Sequence, residues 1–368
     1  MAHNIDILIL TAGFGSGHLL AAKGIKESIE KADKTLNIEI EDAFKISIPR
    51  LSDAMYRSYN ILIRKNTGLY NYFHYKDNEK PKDNAKKFSN KYIINRLKNH
   101  IININPKLII STFPVISQYL SILKDKDEIS VPLITCITDV VNGWEWITTN
   151  SDMYFVATKH VKNNMLDMGI EDEKITVTGI PLRKEFLELP RPINNIKLPQ
   201  NNKLIMIMGG GMGLVPEDDM FYRWINGINN TKTLVLTGNN QNLYKSISRL
   251  ELENIITFRY TNEVPSLMAQ SDLLISKAGG ITLFEAISSD LPFIAYEPKL
   301  GQEIENAEFI YEEKIGSVAS DMEELKRIIL ELINDENKIN IYKTNIEKIK
   351  ENINMDILAD KAISLLRE

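Results

Sequence analysis

The sequence predicts an α/β protein built from two doubly wound domains, each a parallel sheet covered by helices on both faces. Three observations carry this. The apolar run DILILT (6–11) passes at once into the glycine-rich AGFGSGH (12–18), and LLAAKGIKESIEKA follows with helical periodicity. The same order recurs at 204–214, where LIMIMGGGMGL runs an apolar strand into Gly209, Gly210, Gly211 and Gly213. Between the two lies LPRPINNIKLPQNNK (189–203), rich in Pro and Asn, with the composition of a linker. At 368 residues the chain suits about two domains of roughly 100–200 residues. The expected boundaries are 1–190 and 200–350, with a last amphipathic helix over 353–368 packing back onto the first domain.

Composition narrows the class. A hydrophobic fraction of 43% with 25% charged residues is that of a globular chain rather than a disordered one. The net charge of −5 gives no global attraction to nucleic acid, so no nucleic-acid partner is expected. One cysteine, Cys136, rules out an internal disulfide framework and a cysteine zinc cluster; in LITCIT it reads as a buried core thiol. The start lacks a basic leader with a long apolar core, and no run approaches the roughly 18–20 apolar residues of a membrane span. A cytoplasmic protein that rests on a membrane surface fits these features.

Along the first half, the glycines at 13, 15 and 17 do not follow the G-x-G-x-x-G spacing of a dinucleotide site. His18 sits where the helix begins. A helix N-terminus disfavours added positive charge, so an imidazole there stays neutral and can accept a proton from a hydroxyl. Two readings of His18 stand at this point: such a base, or a capping and packing residue. IEIEDAF (38–44) reads as a second strand. In 49–75, Met55, Tyr56, Tyr59, Ile61, Leu62, Ile63, Leu69, Tyr70, Tyr72 and Phe73 alternate with Arg57, Arg64 and Lys65. Aromatic and basic residues on one amphipathic helix suit an anionic membrane interface, or equally a helix packed on its own domain. The Lys-rich 76–98 reads as a solvated face that also attracts anionic lipid. PKLIISTFP (106–114), VPLITCITD (131–139) and part of 144–158 supply further strands. Asp139 falls at the carboxyl end of its strand, where open α/β sheets place ligands. A helix around 159–168 and the segment ITVTGIPLRKEF (175–186), with Arg183, complete the half.

In the second half, TLVLTGNN (233–240), NIITFRY (254–260), the run at 272–275 and PFIAYEP (292–298) read as strands, and 321–333 and 337–350 as helices. SKAGGITLFEA (276–286) is the richest stretch. Lys277, Gly279 and Gly280 turn the chain into a helix that opens near Thr282. A strand, a Gly-Gly turn and a helix start gather backbone N–H groups and a positive dipole end, which is an anion site of the kind that takes phosphate. Glu285, about one turn in, reaches a ribose beside such a phosphate. Taken alone, a glycine-rich turn that only redirects the chain satisfies the same pattern. In PKLGQEIENAEF (298–309), Gln302, Glu303 and Asn306 fall on one side of a helix that starts near 303; amides beside a carboxylate suit a polyol such as a hexose, and a plain helix start is the other reading. No metal site stands out: Asp125-Lys126-Asp127 lies in a charged, loop-like run.

Together LILTAGFGSGH, INPKLIISTFP, CITD, YFVAT, TGIPLR, the loop at 209–213 and, above all, SKAGGITLFEA with PKLGQEIENAEF resemble glycosyltransferase family 28, and within it the bacterial diacylglycerol glucosyltransferases and monogalactosyldiacylglycerol synthases. The resemblance implies a GT-B fold, two Rossmann-like domains facing a nucleotide-sugar cleft. It implies an inverting hexosyltransferase that takes UDP-glucose or UDP-galactose as donor, needs no obligatory cofactor, and uses diacylglycerol as acceptor at the inner face of the cell membrane. It places Gly17, Arg183, Gly209, Gly210, Gly211, Gly213, Lys277, Gly279, Gly280 and Thr282 around the diphosphate, Tyr260 and Val264 at the uracil, Glu285 on the ribose, and Gln302, Glu303 and Asn306 on the sugar. His18 becomes the candidate base, with Asp139 the second candidate or an orienting partner. Two departures bear on the acceptor. The stretch VVNGWEWITTNSD (140–152) lacks the histidines of close relatives, and Met212 stands where relatives often have His. A transferase with another acceptor and a nucleotide-sugar-binding protein without turnover are the alternatives; a nicotinamide oxidoreductase is disfavoured by the glycine spacing.

Overall fold

The computed structural model describes residues 5–65, 91–141, 143–188 and 203–367. The chain divides into two compact units: Met1–Lys184 with Leu300–Gln302 and Asn352–Glu368, and Glu185–Lys299 with Glu303–Glu351. Each is a six-stranded, all-parallel sheet with helices on its faces.

In the first unit the elements are β1 (Ile7–Thr11), α1 (Gly17–Ala32), β2 (Ile38–Asp42), α2 (Ala43–Ser47), α3 (Pro49–Lys65), α4 (Lys91–Ile104), β3 (Leu108–Ser111), α5 (Pro114–Asp125), β4 (Leu133–Cys136), β5 (Met153–Val156), α6 (Lys159–Asp167) and β6 (Ile175–Val177). Its sheet order is β2-β1-β3-β4-β5-β6. β1 is buried on both faces, which is why it reads as an uninterrupted apolar run. Side chains alternate across the sheet: Leu8 and Leu10 join Ile94, Leu97, Ile116 and Leu120 in one core, while Ile7 and Ile9 join Ala22, Ile25 and Ile29 in the other. The terminal helix lies in that second core through Met355, Leu358, Ala359 and Ala362.

In the second unit follow α7 (Lys184–Leu187) at the boundary, β7 (Lys203–Met208), α8 (Asp219–Asn226), β8 (Thr231–Leu236), α9 (Gln241–Ser248), β9 (Ile255–Phe258), α10 (Val264–Gln270), β10 (Leu273–Ser276), α11 (Gly280–Ser288), β11 (Phe293–Tyr296), α12 (Gly301–Glu312), β12 (Gly316–Ala319), α13 (Met322–Asn334) and α14 (Glu336–Lys350); α15 (Met355–Arg367) is the helix that returns to the first unit's core. The order here is β12-β11-β10-β7-β8-β9, the arrangement of a dinucleotide-binding sheet. The core combines Ile205, Ile207 and Ile275 of the sheet with Phe221, Tyr222, Ile328 and Ile329 of the helices.

Both sheets reverse direction of winding at one point, between β1 and β3 in the first and between β7 and β10 in the second. Ligands of open α/β sheets bind beyond the carboxyl ends of the strands that flank such a point. The loop 12–17 follows β1 there. The loops 209–213 and 277–279 follow β7 and β10. No described helix is long and apolar enough to cross a membrane. Of the aromatic and basic stretch 49–75, residues 66–75 lie outside the described residues, as do 76–90 of the Lys-rich run and nearly all of the expected linker.

Candidate active site

In the first unit, His18 occupies the first turn of α1, after an N-cap Ser16 that makes no side-chain capping bond. Its Nδ1 lies 2.9 Å from the Thr138 hydroxyl. Phe113 meets the ring edge-on with centroids 5.0 Å apart, and Trp146 lies at 6.3 Å. Burial pulls the imidazole pKa down from 6.5 to about 4, against a smaller upward effect of a backbone hydrogen bond with Thr112. Desolvation, which the sequence did not show, thus keeps the ring neutral. A neutral imidazole in that setting is a proton acceptor.

The loop that carries His18 is held by aromatic packing. Phe14 stacks on Phe113 at 5.2 Å and meets Phe44, Tyr56 and Tyr59 edge-on. The Tyr56 hydroxyl donates to the Asp42 carboxylate, with its oxygens at 2.7 and 2.8 Å, and a Cβ at Gly13 would sit 2.8 Å from the Tyr56 ring. Only glycine admits that approach. The carboxylate and burial both raise the Tyr56 pKa, burial most, so its phenol stays a donor.

In the second unit, two loops meet side by side. The Ser276 hydroxyl at the end of β10 donates to the Met208 carbonyl at the end of β7, 2.5 Å away. The loop after β7 makes a tight turn over Gly210–Met212 and leaves it at Gly213, whose φ is 63°. A Cβ at Gly213 would lie 2.1 Å from the Thr237 carbonyl oxygen, so this position needs glycine on two counts. The glycine loop does not lead straight into a helix: α8 starts only at Asp219. After β10, Gly279 is the N-cap of α11 without a side-chain capping bond, and a Cβ added to it would meet nothing within 4 Å. The space beside the Gly279 Cα at the start of α11 is thus unfilled, which suits the approach of an anion to a helix N-terminus.

Around this turn the side chains interlock. Lys277 Nζ donates to Glu303 at 2.8 Å, and the Glu303 side chain is only 7% exposed. Asn306 is fully buried and donates to the Ala278 carbonyl at 2.8 Å. The structure thus joins a residue expected at the phosphate, Lys277, with one expected at the sugar, Glu303. It puts the Asn306 amide under the loop, where it fixes the main chain that leads to Gly279. Thr282 and Glu285 lie in α11, both largely buried. Tyr260, 64% exposed, follows β9, and Val264 opens α10; Arg259 stacks on Tyr244 at 4.5 Å between them and the sheet.

Gly17, His18, Asp139, Arg183 and Gln302 fall in the first unit, and the other candidates in the second. The side-chain partner of His18 Nδ1 is Thr138, one residue before Asp139. Thr138 carries no local signal, because its partner His18 lies 120 residues away in the chain. Ser276 was missed as well, although it ends an apolar run beside a glycine turn. The side chain of Met212 lies outside the described residues. Among the described residues, no group of three or more His, Cys, Asp or Glu side chains is arranged to hold a metal ion.

Two doubly wound sheets, each with its loops at the switch point, define a GT-B glycosyltransferase fold. The glycotransferase of kitacinnamycin superposes with a TM-score of 0.64 at 11% identity over 98% of both chains. Anabaena Alr3699/HepE, solved in complex with UDP, gives 0.56 at 15% identity over 99% of this chain and 100% of that one. Residues 18–182 match the family described as monogalactosyldiacylglycerol (MGDG) synthase, and residues 212–358 the glycosyltransferase family 28 C-terminal domain. A Staphylococcus aureus (strain Newman) protein named processive diacylglycerol beta-glucosyltransferase is 30% identical over 360 residues, 95% of this chain and 90% of that protein. The chain belongs to glycosyltransferase family 28.

Proposed function

We propose that this protein transfers a glucosyl group from UDP-glucose to the hydroxyl of diacylglycerol with inversion at the anomeric carbon. The observation that carries the reading is the near-complete alignment with a relative named diacylglycerol glucosyltransferase, through both the His18 loop and the glycine loops. UDP-glucose is an α-glycoside, and that relative is named a beta-glucosyltransferase, so a single in-line displacement accounts for the stereochemistry.

The chemistry follows from the residues. The acceptor oxygen forms a bond to C1 of the sugar while the bond from C1 to the diphosphate oxygen breaks. The acceptor proton passes to His18 Nε2, which neutral imidazole leaves available. The electron pair departs with UDP, and the negative charge falls at the N-terminus of α11 and near Lys277, where main-chain N–H groups and an ammonium stabilise it. Glu285 holds the ribose hydroxyls, Tyr260 and Val264 flank the uracil, and Gln302 and Glu303 read the sugar hydroxyls, with Lys277 fixing the Glu303 carboxylate. Arg183 and Gly17 are assigned to the diphosphate from the family pattern, and Asp139 to the acceptor side.

The acceptor's hydrocarbon tails set where the protein works. On α3, Leu51 and Ile61 are exposed at 64% and 56%, beside exposed Arg50 and Arg57. Apolar and cationic side chains on one exposed helix face suit an anionic membrane surface, on which the protein would sit peripherally at the cytoplasmic side.

The test is UDP release with vesicles containing diacylglycerol, offering UDP-glucose and UDP-galactose separately. Lipid-dependent release with UDP-glucose, giving a glucolipid, is the expected result. Release only with UDP-galactose would replace the donor. Donor binding with no lipid-dependent release would overturn the acceptor.

A further inference from the structure

We propose that Thr11, Thr112 and Thr138 form a positioning cradle for His18, in which the Thr138 hydroxyl accepts from Nδ1–H and so leaves Nε2 as the nitrogen that takes the acceptor proton. The inference rests on His18 being the base of the proposed reaction, and it names what makes that histidine competent.

The three threonines stand at equivalent places, at or just beyond the carboxyl ends of β1, β3 and β4, three neighbouring strands. All are buried, at 2%, 0% and 3% exposure. Strand ends buried this deeply accept Val, which has nearly the shape of Thr and no hydroxyl to satisfy. Two of the hydroxyls here meet His18, and the third backs one of them. Thr112 Oγ1 lies 3.2 Å from the His18 carbonyl oxygen and 3.0 Å from Thr11 Oγ1. A hydroxyl has one proton, and a carbonyl can only accept. Thr112 is the donor toward both, so its single proton is shared between the His18 carbonyl and the Thr11 hydroxyl. Thr138 holds the other end of the residue, at Nδ1, 2.9 Å away. Backbone and ring of His18 are thus gripped from two adjacent strands.

A second polar cluster in the same unit shows that the convergence is not general. Thr135, Thr148 and Ser151 bond among themselves, at 2.6 and 2.7 Å, and Thr148 bonds to Tyr154; none reaches His18.

The arrangement has a catalytic consequence. When His18 takes a proton, its Nδ1–H becomes part of an imidazolium, and a hydrogen bond from a charged donor is stronger than one from a neutral donor. The Thr138 contact therefore stabilises the transition state more than the ground state, which raises kcat. It also fixes the ring against a half-turn that would swap Nδ1 for carbon, between the edge-on Phe113 and the tilted Trp146.

The experiment is ¹⁵N NMR of the imidazole nitrogens in the full chain, which has five histidines, with His18 assigned from the His18→Gln spectrum. It is paired with steady-state kinetics of Thr138→Val and Thr138→Ser. The expected results are a native His18 protonated on Nδ1, mixed tautomers in Thr138→Val, a fall in kcat of about tenfold there with the donor KM unchanged, and recovery of both properties in Thr138→Ser. A native His18 protonated on Nε2 overturns the cradle whatever the variants do, including a Thr138→Val protein that fails to fold. So does a folded Thr138→Val enzyme with native kcat. Loss of the base assignment is read separately: His18→Ala would then transfer at the native rate, while the tautomer spectrum would be unaffected by that failure.

Discussion

The two switch points of this protein occupy the same topological place and are built from different materials. At the first, side chains do the work: three strand-end threonines, a stacked Phe14 and Phe113, and Tyr56 clamped by Asp42 surround one part-buried imidazole. At the second, the main chain does it: Gly213 in a left-handed turn, Gly279 with open space beside its Cα at a helix start, and Ser276 and Asn306 pinning carbonyls. The difference follows from the chemistry each place serves. Moving a proton needs one titratable group with a set orientation and a depressed charge affinity. Holding a diphosphate needs many weak donors with no side chain in the way. A common topology provides position, and the local residues decide the chemistry.

That division can be broken from either side. The largest effect is expected from His18→Ala, which should lower kcat by about 10²–10⁴ and leave UDP binding by calorimetry unchanged. A parallel loss of UDP affinity would show that the two regions are not chemically separate. Next comes Gly213→Ala. The new Cβ would lie 2.1 Å from the Thr237 carbonyl and the residue would keep a φ of 63°. Stability should fall by about 2–3 kcal/mol in denaturant melts, with UDP affinity lowered at least about tenfold and the His18 imidazole spectrum unaltered. An Ala variant that binds UDP normally would remove the loop from the donor site.

Asn306→Ala should have a smaller effect, a loss of about 1–3 kcal/mol, because it leaves the Ala278 carbonyl buried without its amide donor. UDP binding should weaken with it. If sugar specificity changed while stability and UDP affinity held, Asn306 would be a sugar contact after all and not a support for the loop.

The smallest expected effect is on stability against pH. The folded His18 titrates near 4 and the unfolded one near 6.5, so between those values the unfolded chain binds more protons. The contribution is fully present above 6.5 and is lost as pH falls toward 4. Between pH 7 and 5.5 it amounts to about 1 kcal/mol, read as the difference between the native protein and His18→Gln in denaturant melts. Equal slopes in the two proteins would mean that the ring is not desolvated in the folded state. The same depressed pKa predicts kcat/KM that stays level from neutral pH down to about 5 before the acid limb begins.

Much of this architecture is written locally. Strands buried on both faces must be apolar throughout, so ILILT, LIMIM and LLIS announce themselves, and glycine turns after them mark the loop ends. The α11 turn is equally local, since a glycine pair followed by a helical run marks a strand-to-helix turn. The same holds for the amphipathic spacing of α15, which marks a helix with one buried face without naming the sheet it covers. These are properties of a few consecutive residues and need no knowledge of what lies opposite.

Tertiary structure alone decided the rest. The strand orders could not be read, because hydrogen-bonded neighbours such as β7 and β10 are 65 or more residues apart in the chain, and nothing local names a partner. The burial that depresses the His18 pKa comes from tertiary packing, with Phe113 and Trp146 beside the ring, which the sequence did not show. Spacing put Asn306 on one side of a helix with Gln302 and Glu303, and only packing showed its amide donating to the Ala278 carbonyl. The convergence of Thr11, Thr112 and Thr138 on one histidine is of the same kind: each hydroxyl is ordinary at its own strand end, and becomes a site only where parallel strands bring the ends together.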